Sequence, residues 1–420
     1  MLIDPRQRLA QLFESAVSAA DPNRAIRAYL PRPPKGRTIV VGAGKAASQM
    51  AAAFENVWDG PFEGTVIARH GPTAPCQRIH VVQAAHPEPD EAGLHGAAHL
   101  LNLVRNLTKD DLVIALISGG GSALLPAPPR GFVLQDEVIL NRALLRSGAP
   151  IAAMNIVRAH FSQIKSGRLA AAAYPAQVIS LIVSDIPGDN PAFVASGPTV
   201  PQIYTAADAL DVIRDYRIEL PEPIMAEIKA SNAPDYRSDA FKNNTVHVIA
   251  SSALSLESAA ATARGFGLDV HILSDSIEGE AKDIGLMHAA LAREIALKNR
   301  PFKKPVVILS GGETTVDMRD GVNGKGGRNS EFMLSFALAI DGIAGITALA
   351  ADTDGIDGSE LNAGVYGHHE TAARLRQLGL NGREFLSNHD AYSAFERIGD
   401  LFVTGPTGTN VNDFRAILVE

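Results

Sequence analysis

Cysteine is nearly absent from this sequence: Cys76 is the only one. One thiol cannot close a disulfide or complete a cysteine zinc site within a chain, so packing must hold the fold, and a reducing compartment fits. Tryptophan is equally scarce, and Trp58 reads as a packing residue at a helix end. Basic charge is not in surplus. Thirty-eight Lys and Arg against 46 Asp and Glu leave a net −8, which argues against nucleic acid or an anionic membrane surface as partner. A phosphate site in such a chain has to be locally basic. No apolar run approaches the roughly 18 residues of a membrane span. The opening MLIDPRQRLAQLF also lacks the charged start and apolar stretch of a signal peptide. A cytoplasmic protein is expected.

Glycine, by contrast, is concentrated where β-branched runs end. At 420 residues two domains are expected, and we divide them as 1–240 and 241–420. In the first, the runs 38–41, 65–68, 79–83, 112–117 and 178–183 predict strands. They alternate with helical stretches at 46–57, 91–107, 135–146 and 151–164. Alternation at this spacing implies a parallel sheet with helices on both faces. Leu9, Leu12, Phe13, Ala16 and Val17 form an apolar helical stripe over 5–20. The proline-interrupted span 184–245 reads as the route out of the first domain. A second series of strands then begins at 246–250 and continues at 270–273, 306–309, 346–350, 401–403 and 416–419.

The glycine turns carry the candidate chemistry, because backbone N–H groups can converge on a ligand where no Cβ blocks approach. Gly42-Ala43-Gly44-Lys45-Ala46-Ala47 satisfies the G-x-G-x-x-A dinucleotide fingerprint between strand and helix. The acidic partner expected after the next strand is missing, since that strand ends in Arg69-His70. Lys45 is the unusual element, either aimed at a ligand or a solvated helix-start lysine. Ser118-Gly119-Gly120-Gly121-Ser122 spends three glycines where a tight turn needs one, costing roughly 1 kcal/mol each in backbone freedom. An anion-binding nest is the expected return. Asn155, Arg158 and Lys165 fall on one face of a predicted helix and would clamp a carboxylate or phosphate. An ordinary basic face is the alternative. Asp185 and Asp189 sit at a strand's carboxyl end, where Mg²⁺ could be held beside substrate phosphates, or where they simply form a turn. In the second domain Ser310-Gly311-Gly312-Glu313 and the loop carrying Lys325 precede Arg328. That arginine stands at a helix start, a placement suited to stabilising charge in phosphoryl transfer. Asp352, Asp354 and Asp357 form a dense acidic loop, and Asn410 lies in a last glycine-threonine turn.

Taken together, GAGKAA, SGGGSALL, NIVRAHFSQIKSGRL, SDIPGD, ASGPT, SGGETTV, GKGGRNSEF, DTDGIDG and GPTGTNVNDF resemble the class II glycerate kinases, whose carboxyl-terminal half contains the MOFRL domain (here about 305–415). The resemblance runs through nearly the whole chain in the family's order. It implies a Rossmann-like amino-terminal domain, a smaller α/β domain, and an active site in the cleft. The implied activity is ATP-dependent phosphorylation of D-glycerate, usually at the 2-hydroxyl, with Mg²⁺ or another divalent cation. It also places Lys45 and Arg328 at the catalytic positions. On this reading Ser118–Ser122, Asn155, Arg158 and Lys165 hold substrate. Gly311, Gly312, Glu313, Lys325, Asp352, Asp354, Asp357 and Asn410 hold nucleotide, and Asp185 and Asp189 hold metal. The partners are small molecules, and a homo-oligomer is left open. The rival is an NAD(P)H-dependent hydroxypyruvate reductase built on the Gly42–Ala47 fingerprint, a name that some family members carry.

Overall fold

The computed structural model describes residues 4–318 and 324–420. Its contacts divide the chain into two compact units, Pro22–Ile249 and Met1–Asp21 with Ala250–Glu420.

The unit of residues 22–249 is built on β1 (Thr38–Ala43), β2 (Glu63–Arg69), β3 (Ile79–Ala84), β4 (Leu112–Ser118), β5 (Gln177–Val183) and β6 (Thr245–Ala250). Their order is β3-β2-β1-β4-β5-β6, and β1 to β5 pair in parallel. Every residue of β1 and β4 is buried, as near-continuous apolar runs require when helices cover both faces. The strand order reverses between β1 and β4. Crevices outside such a switch point are where parallel sheets bind ligands, and the Lys45 and triglycine loops both leave from it.

Two expectations are corrected here. The run at 246–250 does not open the second domain; it is β6, beside β5. The proline-rich span before it also does more than connect. Its helices Ala206–Asp215 and Glu222–Ala230 share a core with Leu134–Arg146 and Ile151–Ala159, through Leu140, Leu144, Val157, Ile213, Ile224 and Ile228.

The other unit contains β7 (Asp269–Ile272), β8 (Ile277–Glu280), β9 (Val306–Thr315), β10 (Ile346–Asp352), β11 (Gly364–His368), β12 (Leu401–Phe402) and β13 (Asp413–Val419). They run β12-β11-β10-β13-β9-β7, with β8 also on β9. The sheet is mixed: β13 is antiparallel to both β9 and β10, whereas β7 and β8 run parallel to β9. Alternate residues serve opposite faces. Ile308, Ala348 and Ile417 meet the helices Ala281–Lys298 and Arg328–Ala339. Leu309, Leu349 and Leu418 meet Pro5–Ala19 and Ser252–Gly265.

The amino-terminal helix thus packs on this second sheet, not within a 1–240 domain. Its stripe of Leu9, Leu12, Phe13 and Ala16 is fully buried, worth about 1.5–3 kcal/mol for each large side chain. Phe13 meets Phe402 and Phe414 edge-on, at 5.1 and 5.7 Å. Buried Asp400 fixes the start of the helix, accepting from Arg6 at 2.7 Å and from Arg374 at 2.6 Å.

Candidate functional site

In the first unit the switch point explains its own glycines. A Cβ on Gly42 would come within 2.3 Å of the Leu116 carbonyl, and one on Gly44 within 2.1 Å of Ser118 Oγ. Both glycines of the fingerprint therefore admit the chain's own β4. The amides beside them are occupied as well. Gly44 N–H donates to Ile67 O, Lys45 N–H to Gly119 O at 2.8 Å, and Ala46 N–H to Ser118 Oγ at 3.0 Å. A dinucleotide pyrophosphate needs amides of this kind unspent.

The triglycine loop is arranged differently. Gly119 lies against the Asp185 carboxylate, which a Cβ would strike at 1.7 Å. Gly120 has φ of +77° and faces Lys45 Cγ and His86 Nε2, 3.0 and 3.1 Å from where its Cβ would stand. Gly121 fits under Ala195. Among the described residues the Gly119 and Gly120 amides meet no acceptor. The Lys45 ammonium stands 3.8 Å from Asp185 Oδ2. The Lys45 side chain and the His86 imidazole therefore both approach Gly120, beside two open amides.

A buried hydrogen-bond chain backs this loop. Asn155 Oδ1 accepts from Arg158 Nη1 at 3.2 Å and from the Ser196 hydroxyl at 2.9 Å. Ser196 has spent its proton, so its 2.9 Å contact with Ser122 is a donation from Ser122. Ser122 therefore offers a ligand lone pairs. Ala195 and Ser196 hold φ of +52° and +59°, a strained non-glycine pair of the kind that clusters at ligand sites. Arg158 donates to Asn141 at 2.8 Å, and burial pushes its pKa down to about 10 against the pull of Glu137.

Lys165 departs from the expected clamp. The helix ends at Ala159, so the seven-residue spacing no longer places Lys165 beside Arg158. Its ammonium is 1% exposed and bonded to Glu137 Oε1 at 2.5 Å. Glu137 also accepts from the Ala127 amide, so the pair is internal to the fold. The expected metal residues lie just past the end of β5. Asp185 adjoins Lys45, and Asp189 sits at a φ of +51° in the following turn. Among the described residues no group of three or more His, Cys, Asp or Glu is arranged to hold a metal ion.

In the second unit Arg328 is the first residue of its helix and donates to three carboxylates. Nε reaches Asp413 at 2.6 Å, Nη2 reaches Asp352 at 2.7 Å, and Nη1 reaches exposed Glu313 at 3.2 Å. Burial opposes its charge, but Asp413 and Asp352 outweigh burial and hold the guanidinium above its ordinary pKa. Burial pushes Asp352 well up, only partly countered by Arg328. Asp413 also binds fully buried Arg415 at 2.5 Å. A cavity of about 500 Å³ opens beside Arg328, lined in part by Glu313, Val316, Met318, Asp352 and Ser359.

Other residues expected to hold nucleotide make contacts within the fold. Gly311 and Gly312 are not in a turn; β9 runs on to Thr315 and pairs them with Phe414 and Asp413. Their missing Cβ atoms leave room for Ser252 and Ile277. Asp357 is fully buried and caps the Arg328 helix, with Oδ1 accepting from Asn329 N–H and Oδ2 from Ser330 N–H and Oγ–H. Asp354 closes a local turn onto Ile356 N–H and accepts from Asn410 at 3.3 Å. Lys325 is exposed, its main chain held by Asp390.

His86 belongs to none of the glycine-turn motifs. Its signal was position: Ala85-His86-Pro87 directly follows β3, at the carboxyl edge where parallel sheets gather ligands.

Fold and site together define a two-unit α/β protein with a basic, amide-lined switch point, the architecture of an anion-handling enzyme. Residues 8–229 match a domain of unknown function, DUF4147, and residues 306–413 match the MOFRL family. The D-glycerate 2-kinase of Thermotoga maritima is 38% identical over 98% of both chains. An Agrobacterium vitis protein provisionally named hydroxypyruvate reductase is 47% identical over 99% of this chain and 95% of its own. The crystal structure of the Thermotoga maritima glycerate kinase superposes with a TM-score of 0.89 at 36% identity, covering 99% of each chain. The chain belongs to the glycerate kinase family that carries the MOFRL domain.

Proposed function

We propose that this protein transfers the γ-phosphoryl group of ATP to the 2-hydroxyl of D-glycerate. The observation that carries the reading is full-length correspondence, in sequence and backbone, with a D-glycerate 2-kinase. The switch point supports it. The open Gly119 and Gly120 amides and the Lys45 ammonium suit a small hydroxy acid and the charge that gathers on a transferring phosphoryl group. Asp185 holds the Lys45 side chain toward Gly119 and Gly120, and the buried Arg158 adds positive potential behind Asn155 and Ser122. A cation within about 4 Å of the migrating group contributes on the order of 4 kcal/mol at an effective dielectric near 20, about a thousandfold in rate.

In the other unit, Arg328 and the cavity beside it are the proposed nucleotide side, with Val316 and Met318 as its apolar lining. Glu313 and Asp352 would yield Arg328 to the phosphates. Mg²⁺ would come with the triphosphate and neutralise its charge, and Asp185 and Asp189 are the carboxylates proposed to meet it.

The reductase reading draws on the name of the 47% identical relatives. Against it stand the occupied amides of residues 44–46. Purified protein given Mg-ATP and D-glycerate should release ADP in step with phosphoglycerate. NADPH oxidation with hydroxypyruvate, and no ADP release, would reverse the assignment.

A further inference from the structure

Phosphoryl transfer to an alcohol requires a destination for the hydroxyl proton. As the O–P bond forms and the bond to the leaving ADP oxygen breaks, the O–H bond must give its proton to a base. Lys45 is a cation with nothing to accept, and Ser122 is a poor base. Asp185 is engaged with Lys45 and pressed on Gly119.

We propose that His86 is the general base of the reaction, its Nε2 taking the proton from the glycerate 2-hydroxyl. This rests on the kinase reading above and names a residue that the reading does not require.

The geometry is specific. Nε2 lies 3.1 Å from the point where a Gly120 Cβ would be, on the side where Lys45 Cγ also approaches. A substrate held on the Gly119 and Gly120 amides would have the Lys45 side chain and His86 Nε2 as neighbours. The φ of +77° at Gly120 favours glycine, and a Cβ there would crowd both side chains. Among the described residues no hydrogen bond engages the ring, so a lone pair is available.

Its electrostatic surroundings keep that lone pair unprotonated. From the loop after β1 comes Lys45, and from the end of β2 come Arg69 and His70. After β5 stands Asp185, on Lys45. The acids of the ring's own turn are directed elsewhere, Glu88 to Arg142 at 2.6 Å and Asp90 to the Gly93 amide and toward His70. Partial burial, then Lys45 and Arg69, lower the pKa of His86 below the ordinary 6.5. The imidazole is thus neutral and able to accept at neutral pH.

The test compares the unmodified protein with His86→Gln and His86→Ala, each shown to be folded by circular dichroism. With Mg-ATP and D-glycerate, kcat should fall about 10²- to 10⁴-fold while KM for glycerate changes by less than about threefold. The acid limb of the kcat/KM profile, set below the ordinary histidine range in the unmodified protein, should vanish in the Gln variant. Free imidazole should restore turnover to His86→Ala. An acid limb unchanged in His86→Gln, a loss confined to KM, or failure of imidazole rescue overturns the role. Removal of the limb by Asp185→Asn, and not by His86→Gln, overturns it equally. Absence of ADP release by the unmodified protein would instead sink the kinase reading itself, so the two failures are distinct.

Discussion

Replacing Asp357 with alanine separates a structural carboxylate from a ligand-binding one. Asp357 is completely buried, and its oxygens accept three hydrogen bonds from Asn329 and Ser330 at the start of the Arg328 helix. Loss of a helix cap costs about 0.5–2 kcal/mol, and each buried donor left unpaired costs about 1–3 kcal/mol. Against this, the variant no longer buries a carboxylate, whose desolvation already raises its pKa. With the donors partly rehydrated and that burial cost relieved, a net loss on the order of 2–4 kcal/mol is expected. For a unit of this size each kcal/mol shifts Tm by about 2–4 °C, so calorimetry should show a fall of roughly 5–15 °C. Asp357→Asn, which keeps one acceptor, should lie between. Nucleotide affinity of the protein that remains folded should be little altered. An unchanged Tm with lost nucleotide binding would return Asp357 to the ligand role expected from the sequence and refute the capping argument.

Lys165→Met should destabilise the 22–249 unit by about 3–5 kcal/mol in urea titration, because it strands the Glu137 carboxylate. Adding Glu137→Gln should recover much of that loss. Lys45→Ala and Arg328→Ala should each lose at least about a hundredfold in turnover while keeping their far-ultraviolet spectra; near-normal rates would remove their assignment. Burial alone would raise Asp400, but bonds from His368, Arg374 and Arg6 together bring its pKa below the ordinary 3.8. Its contribution is therefore full above that value and is lost as pH falls through the lower folded value. Acid unfolding followed by circular dichroism should be shallower at this end for Asp400→Asn, and an unchanged acid limb would count against the anchor.

The parallel sheet was legible because fully buried strands carry their signal locally. The runs from Thr38, Leu112 and Val178 are apolar almost throughout and rich in β-branched residues, and β1, β4 and β5 formed there. The glycine turns at 42–47 and 118–122 were legible for the same reason. What failed depended on distant partners. Glycine marks both a turn and a crowded strand, and only Ser252 and Ile277, far away in the chain, reveal Gly311 and Gly312 as the latter. The helix of residues 5–19 looked like the start of the first domain until its stripe met Leu256 and Phe414. Lys165 fitted a helical period that ends six residues before it. Membership of β6 in the first sheet was hidden because an edge strand resembles the opening of any new series.

The most direct measurement is identification of the phosphorylated product. After incubation with Mg-ATP and D-glycerate, enolase alone should convert the product to phosphoenolpyruvate, as 2-phosphoglycerate requires. A product that enolase consumes only after phosphoglycerate mutase is added would contradict transfer to the 2-hydroxyl, and no phosphorylated product at all would contradict the kinase account.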